Sequence, residues 1–247
     1  MLKCYIIQIQ SEPLPGDRRV LLEQILPQER REKCYRLKDE KRRERYLISS
    51  AFMQYGLSQT LDIPMRDIRY QYGINEKPML ADSLLEKTGG IEFNLSHSGE
   101  YAVLAISDKP VGIDIERKTE RYKSVAKQFF REEEYTDVIS ADTEEERKRR
   151  FLEYWTMKEA YVKWDGRGLR IPLSSFRVNR QEQGLSYAEP IGEEEKTVPI
   201  VFFEKKEYCI SVCGEADELL KSITTSCGIE KIIRDITVDD ICKILME

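Results

Sequence analysis

The sequence predicts an α+β protein, and three observations carry that prediction. Apolar and polar residues alternate over short runs, as in strands that have one buried face. Two long segments, residues 39–61 and 143–164, instead carry apolar residues at helical spacing. Runs at 175–180, 197–204 and 207–213 predict an antiparallel meander. Helices and largely antiparallel strands thus occur in both halves of the chain, which is the α+β pattern.

In the N-terminal half the first element is a strand at residues 2–9, and an amphipathic helix at 17–26 ends before Pro27. The long helix begins at Asp39 and ends near Leu61. A strand follows at 68–72, then a loop at 75–78, and the segment from Glu92 to Gly99 leads into a further strand at 101–107. The predicted inner face of the long helix consists of Tyr46, Leu47, Ser50, Ala51, Gln54 and Leu57.

The segment from Asp108 to Pro110 is the strongest break in the middle of the chain. We therefore predict two domains, residues 1–109 and 110–247. The second begins with a strand at 111–116, followed by helices at 122–130, 132–140 and 143–164. Acidic residues occupy the first turn of the last of these helices, and Gly166 and Gly168 end it. A helix at 237–245 follows the meander.

Composition excludes several classes of protein. The 247 residues include 40 basic and 45 acidic side chains, so the formal charge of −5 does not predict a nucleic-acid-binding protein. Six cysteines without a CxxC pair, and one histidine, argue against a zinc site. Glutamines interrupt the apolar N-terminus too early for a signal peptide, and no run has the roughly 18 apolar residues of a membrane span. We expect a reduced, cytoplasmic protein with free thiols and no membrane partner.

Two carboxylates occupy one face of the strand at 111–116. Asp114 and Glu116 alternate with Ile113 and Ile115, so both acids point away from the apolar side, which we expect to be the core side. A cation between them would relieve their repulsion, and oxygen ligands favour Mg²⁺, with Mn²⁺ or Ca²⁺ as weaker candidates. A strand with one solvated face explains the spacing equally well.

On the helix at 143–164, Trp155, Glu159 and Lys163 are four residues apart and form one stripe. Apolar neighbours such as Phe151 and Val162 suggest that Glu159 lies at the edge of a cleft. Its carboxylate would there complete a metal site or accept a proton from a hydroxyl group. The spacing alone favours a plainer alternative, an ordinary Glu–Lys pair on a helix surface.

Two further segments carry weaker signals for an anion site. Ser96, His97, Ser98 and Gly99 combine small donors, an imidazole and a glycine, which together suit phosphate oxygens. Residues 30–45 are dense in arginine and lysine, but interleaved acids make a solvated helix face the default interpretation. A few of these cations would suffice to clamp one terminal phosphate.

The order of two motifs resembles a known family. VGIDIE at 111–116, followed by WTMKEAYVK at 155–163, resembles the signature pair of 4′-phosphopantetheinyl transferases. PQERREKC at 27–34, Lys77-Pro78 and FNLSHSG at 93–99 resemble segments of the larger, surfactin-synthetase-activating type. The resemblance extends over residues 26–176, and two separated motifs in order are far more specific than one.

The resemblance implies that coenzyme A donates its 4′-phosphopantetheine arm to a serine of an apo acyl or peptidyl carrier protein, and that 3′,5′-ADP leaves. It also implies two similar halves related by a pseudo-twofold axis, with the active site in the cleft between them. Because the short members of the family need a partner subunit and this chain has residues for both halves, we expect a monomer.

The resemblance also assigns roles to individual residues. Asp114, Glu116 and Glu159 would hold Mg²⁺ on the coenzyme A diphosphate, and Glu159 would also act as the base, directly or through a bound water. Lys163 and His97, with Ser96, would contact phosphate oxygens. The nucleotide contacts would be Lys77 and Pro78, with Arg30, Lys33 and Arg45 at the 3′-phosphate. One departure is Glu76, where the family usually has glycine, so a side chain stands where the loop approaches the nucleotide.

Two other functions stay open at this point. One is a different Mg²⁺-dependent hydrolase or transferase acting on a nucleotide diphosphate. The other is a catalytically silent module that binds carrier proteins. Labelling of a carrier protein separates them from a phosphopantetheinyl transferase.

Overall fold

The computed structural model describes residues 1–9, 13–73, 77–181, 185–191, 197–225 and 233–246, and their architecture is α+β, as predicted. The elements of the N-terminal half, in chain order, are β1 (Leu2–Gln8), α1 (Gly16–Ile25), α2 (Gln28–Arg36), α3 (Glu40–Leu61), β2 (Tyr70–Tyr72), β3 (Pro78–Leu80), α4 (Asp82–Thr88), β4 (Glu92–Ser98) and β5 (Tyr101–Ser107).

The second half contains the same kinds of elements. They are β6 (Gly112–Arg117), α5 (Tyr122–Phe129), α6 (Glu132–Ser140), α7 (Glu144–Asp165), β7 (Phe176–Asn179), β8 (Ser186–Pro190), β9 (Val198–Lys205), β10 (Tyr208–Cys213), α8 (Ala216–Thr225), β11 (Ile233–Ile236) and α9 (Val238–Met246). No helix in the described part of the chain combines the length and apolarity that a membrane crossing demands.

The first sheet has the strand order β11-β1-β5-β4. β1, β5 and β4 are antiparallel neighbours, whereas β11 lies parallel to β1, with Cys4 opposite Ile233. Helix α9 then packs beside α1 and α3, and Ile241 joins the same apolar cluster as Leu22 and Phe52. Residues 233–246 fall in the predicted domain 110–247, yet they pack on the sheet formed by the first half.

The second sheet is antiparallel throughout, in the order β6-β10-β9-β8-β7. Its strands from β7 to β10 confirm the predicted meander, with β8 as an additional member. Helix α7 packs across β6 and β10 on one face of this sheet. Met157, Ala160 and Tyr161 of the helix are buried there.

The two sheets also pack face to face. Ile6 and Val103 of the first sheet share one apolar cluster with Ile113, Ile115 and Ile210 of the second. Helix α3 covers the opposite face of the first sheet, so helices and sheets form four layers. Strand β6 is therefore covered on both faces, by the other sheet and by α7.

This double covering corrects one prediction. Asp114 was expected on a face away from the core, but that face lies beneath α7 and Asp114 is only 3% exposed. The alternation of β6 is as predicted. Because two layers, not one, cover the strand, the polar face is interior as well.

Gly112 allows α7 to approach β6 closely. A Cβ at this position would lie 2.6 Å from the Trp164 amide nitrogen and would collide with the Ala160 carbonyl oxygen. Both obstacles are backbone atoms, so no rotamer change relieves them. The absent side chain thus sets the distance between the strand that carries Asp114 and the helix that carries Lys163.

The two long helices begin and end where the sequence predicts. Asp39 caps α3 by accepting a hydrogen bond from the Arg42 amide at 2.7 Å, and Thr143 caps α7 through the Glu146 amide at 3.1 Å. Gly166, with φ of 81°, ends α7 in the left-handed conformation that favours glycine.

Several elements were not predicted, namely α2, β3, α4, β4, β8, α8 and β11. The strand expected at 68–72 begins only at Tyr70. Glu76, the residue that departs from the family pattern, lies outside the described residues.

Candidate active site

Two pairs of side chains face each other where β4 runs beside β6. The Ser96 hydroxyl donates to Asp114 Oδ1 at 2.7 Å, and the Ser98 hydroxyl donates to Glu116 Oε2 at 2.8 Å. Both strands have a period of two, so residues 96 and 98 match residues 114 and 116 in turn. Each carboxylate is thereby held by a serine from the other half of the chain.

Lys163 reaches this pair from helix α7. Its ammonium group donates to Asp114 Oδ1 at 2.6 Å, to Ser96 Oγ at 2.9 Å and to the Ile113 carbonyl at 3.2 Å. The close approach at Gly112 allows a helix residue to touch the strand in this way. Asp114, Ser96 and Lys163 therefore form one hydrogen-bonded cluster.

The two carboxylate oxygens of Asp114 differ in their hydrogen bonds. Within the part of the chain that the structure describes, buried Oδ2 has no hydrogen-bond partner. Burial raises the pKa of Asp114, and Lys163 and Ser96 oppose that rise. A buried carboxylate oxygen without a partner is costly, so this atom is suited to a ligand that supplies positive charge.

Glu116 and Glu159 belong to the same electrostatic cluster. Burial is the largest cause that raises the pKa of each carboxyl group, and the neighbouring Asp114 raises both further. Ser98 opposes the rise at Glu116, and Lys163 opposes it at both. Three acids and one lysine from β6 and α7 thus lie within mutual influence.

These acids do not form a closed coordination set. Across the described ranges, no three His, Cys, Asp or Glu side chains are arranged to hold a metal ion. The predicted Mg²⁺ site therefore stays a prediction after the structure is taken into account.

The basic residues that the resemblance assigned to coenzyme A line two adjoining cavities, and none of Asp114, Glu116 and Glu159 lines either of them. Arg30, Arg45 and His97 line a cavity of about 420 Å³. Arg30 and His97 also line a neighbouring cavity of about 220 Å³, together with Lys33, Lys77 and Pro78. Arg42 lines the larger cavity too, although the sequence did not single it out from the other basic residues of its segment.

Arg30 is unusually constrained for a basic surface residue. It is 7% exposed, and its guanidinium lies 5.5 Å from the centre of the Tyr46 ring and 5.2 Å from that of Tyr70. It also donates to Ser50 at 3.2 Å. Stacking between two rings fixes the orientation of the guanidinium plane before any ligand arrives.

Ser96 and His97 were predicted to act together, but they point to opposite sides of β4. Ser96 faces Asp114 and Lys163, whereas His97 faces the two cavities. The sequence also gave Ser98 no role of its own. Its hydrogen bond to Glu116 could have been predicted, because Ser96 and Ser98 have the same two-residue spacing as Asp114 and Glu116.

Of the two lysines near Glu159, Lys163 contacts Asp114 and Lys158 does not face the carboxylates. Lys158 is fully buried, lies 2.9 Å from Glu134, and donates to the Leu173 and Phe176 carbonyls at 2.8 and 3.0 Å. These contacts fasten α7 to α6 and β7. Lys158 therefore supports the helix on which Glu159 and Lys163 stand.

Comparisons with known proteins agree with the motif resemblance. The model of the 4′-phosphopantetheinyl transferase superfamily matches residues 110–213, and that of the N-terminal region of a 4′-phosphopantetheinyl transferase matches residues 12–109. The chain is 31% identical to 4′-phosphopantetheinyl transferase Sfp of Bacillus subtilis strain 168, over 74% of this chain and 79% of that protein.

Two other relatives match over similar or greater lengths. 4′-Phosphopantetheinyl transferase ffp of Bacillus subtilis is 30% identical over 90% of this chain and 96% of its own. The transferase gsp of Aneurinibacillus migulanus is 32% identical over 82% of this chain and 78% of its own. The chain therefore belongs to the larger, Sfp-like 4′-phosphopantetheinyl transferases, the enzymes that transfer the phosphopantetheine arm of coenzyme A to carrier proteins.

Proposed function

We propose that the acceptor is an apo acyl or peptidyl carrier protein and that 3′,5′-ADP leaves when coenzyme A donates its 4′-phosphopantetheine arm. The observation that carries this proposal is the juxtaposition of two features. A cluster of Asp114, Glu116, Glu159 and Lys163 lies on one side of β4, and cavities lined by basic side chains lie on its other side. Acids suit a reacting centre that must accept a proton, and the cations suit the phosphates of the nucleotide.

We propose that Asp114, Glu116 and Glu159 hold Mg²⁺, with Mn²⁺ as the second choice. The donor set supports a hard cation because it offers carboxylate and hydroxyl oxygens without cysteine or histidine. The unpartnered Oδ2 of Asp114 supports it as well. When bound, the cation would neutralise negative charge on the diphosphate.

Glu159 is the proposed general base. The serine oxygen of the carrier attacks the phosphorus that bears the pantetheine arm, and the bond from that phosphorus to the bridging diphosphate oxygen breaks. The serine proton passes to the Glu159 carboxylate, and 3′,5′-ADP departs. Burial and the neighbouring Asp114 raise the pKa of Glu159, which makes it a stronger base than an exposed glutamate.

Lys163 and His97, with Ser96, are proposed to contact the phosphate oxygens from the two sides of β4. At the other end of the ligand, Arg30, Lys33 and Arg45 would bind the 3′-phosphate. Lys77 and Pro78 would line the nucleotide. The fixed guanidinium plane of Arg30 supports this role, because little orientational freedom is lost when it binds a phosphate.

We further propose a cytoplasmic monomer with domains at 1–109 and 110–247 and a pseudo-twofold relation between them. Each half has a 22-residue helix on the outer face of its sheet, α3 in the first and α7 in the second, which supports the relation. The five described cysteines are buried and free, in keeping with a reducing compartment.

Carrier labelling tests the function. Incubation with coenzyme A, Mg²⁺ and an apo carrier protein should raise the carrier mass by roughly 340 Da, the mass of the added phosphopantetheine group. Nucleotide release without this gain would indicate a hydrolase, and carrier binding without either product would indicate a silent module.

The variant Glu159→Gln tests the base. It should keep coenzyme A affinity within a few-fold and lower kcat by about 100-fold or more. Glu145→Gln on the exposed side of α7 is the matched control, since Glu145 is largely exposed and pairs with Lys118 at the surface. Unchanged turnover of Glu159→Gln would refute the assignment.

A further inference from the structure

The ammonium group of Lys163 has all its donors engaged. A lysine carries three N–H donors, and Lys163 directs them at Asp114 Oδ1, Ser96 Oγ and the Ile113 carbonyl, at 2.6, 2.9 and 3.2 Å. In this arrangement no donor remains for a phosphate oxygen. A lysine that is to contact the diphosphate must therefore first leave at least one of these acceptors.

The same contacts hinder the binding of a divalent cation at Asp114. Asp114 Oδ1 already receives Lys163 and Ser96, so only Oδ2 is available to a metal ion. A divalent ion on that oxygen would stand within a few ångströms of the ammonium group, and like charges at such a distance repel strongly.

The side chain of Lys163 is able to move away. The Lys163 side chain is 26% exposed, whereas the Asp114 side chain is 4% exposed, so the lysine lies on the open side of the pair. Its four-carbon stem is flexible and its ammonium group is a compact charge. An incoming diphosphate on that side offers the ammonium group several anionic oxygens in place of one.

We propose that Lys163 is a placeholder cation: its ammonium group neutralises Asp114 in the free enzyme, where a divalent ion would otherwise bind. The ammonium group leaves Asp114 only when the diphosphate of coenzyme A binds it, and the divalent ion then takes its place. The inference rests on the proposed function. It makes cation and coenzyme A binding cooperative, and because such coupling is reciprocal, each must strengthen the other by the same factor. Lys163 thereby acts as a positioning residue before it contacts substrate.

Mn²⁺ binding tests the inference without any turnover. Free Mn²⁺ is followed by electron paramagnetic resonance during titration of the full chain, with and without coenzyme A. The wild type should bind Mn²⁺ weakly alone and at least about tenfold more tightly with coenzyme A. Lys163→Met should bind at least about tenfold more tightly than the wild type without coenzyme A, since even water-like screening leaves that much repulsion between the two cations.

Lys148→Met is the matched control. Lys148 lies on the same helix and pairs with Glu120 at 2.6 Å, so its loss removes the same charge far from Asp114. It should leave Mn²⁺ binding unchanged. A Lys163→Met variant that binds Mn²⁺ no more tightly than the wild type, while coenzyme A still promotes binding to the wild type, would overturn the placeholder role alone.

A second measurement needs no variant. Calorimetric titration of the wild type with coenzyme A, with and without Mn²⁺, should give the same factor as the Mn²⁺ titrations. Independent binding of the two ligands would overturn the inference. No Mn²⁺ binding in any arm would overturn the proposed cation together with the placeholder, whereas the carrier-labelling result would still stand on its own.

Discussion

Replacement of Gly112 by alanine tests whether the close contact between β6 and α7 holds the site together. The added Cβ would meet the backbone of Ala160 and Trp164, the latter at 2.6 Å from its amide nitrogen. Backbone atoms of a helix cannot turn aside as a side chain can. The strand and the helix must therefore move apart, or the helix must bend.

The cost follows from overpacking. Extra methylene groups in a well-packed core usually cost about 1–3 kcal/mol, and we expect about 3 kcal/mol here because both obstacles are backbone. Domains of ordinary stability unfold at about 5–15 kcal/mol, so the protein should still fold. The separation should also weaken the 2.6 Å contact between Lys163 and Asp114.

Urea unfolding measures the first effect, and carrier labelling measures the second. Gly214→Ala is the control, because the nearest atom to its added Cβ, the Pro110 carbonyl oxygen, is 3.8 Å away at ordinary contact distance. We expect a lower urea midpoint and slower labelling for Gly112→Ala only. Equal midpoints for the two variants would refute the packing argument.

Four other changes have defined outcomes. Lys158→Met should lower the free energy of unfolding by about 3–5 kcal/mol, since it leaves the buried carboxylate of Glu134 without its cation. Urea midpoints measure this. Ser98→Ala removes a hydrogen bond to Glu116 and should weaken Mn²⁺ binding by about tenfold with unchanged thermal stability. Because the pKa of Glu159 is raised above 4.5 and a base acts only when ionised, kcat/KM should fall with decreasing pH before pH 4.5 is reached; labelling rates across pH measure it. Removal of divalent ions with a chelator should abolish labelling, and added Mg²⁺ should restore it.

The long periodic elements were predictable and the short ones were not. Helices α3 and α7 have apolar periodicity, capping residues and terminators in the sequence, so their bounds agree with the structure to within about two residues. Helix α2 has none of these signals, since seven of its nine residues are polar or charged. It buries only Arg30 and Cys34, and packing against α3 makes it helical.

The packing around the site could not be predicted from local sequence patterns either. Alternation placed Asp114 and Glu116 on one face of β6, but it could not reveal that α7 covers that face. Strand β11 was missed because its four residues, Ile233–Ile236, are too few to show an alternation of apolar and polar residues. Its partner β1 is also distant in the sequence, so no local pattern indicates the pairing. Motif order, by contrast, identified Asp114, Glu116 and Glu159, whose carboxyl groups influence one another in the structure.

The parallel pairing of β11 with β1 has a consequence for synthesis. Cys4 leaves the ribosome long before its partner Ile233, because more than 200 residues separate them. Until then β1 presents a bare backbone edge, the kind of surface through which incomplete proteins associate. A ribosome that stalls before residue 233 would release a product with that edge open, however complete its cleft.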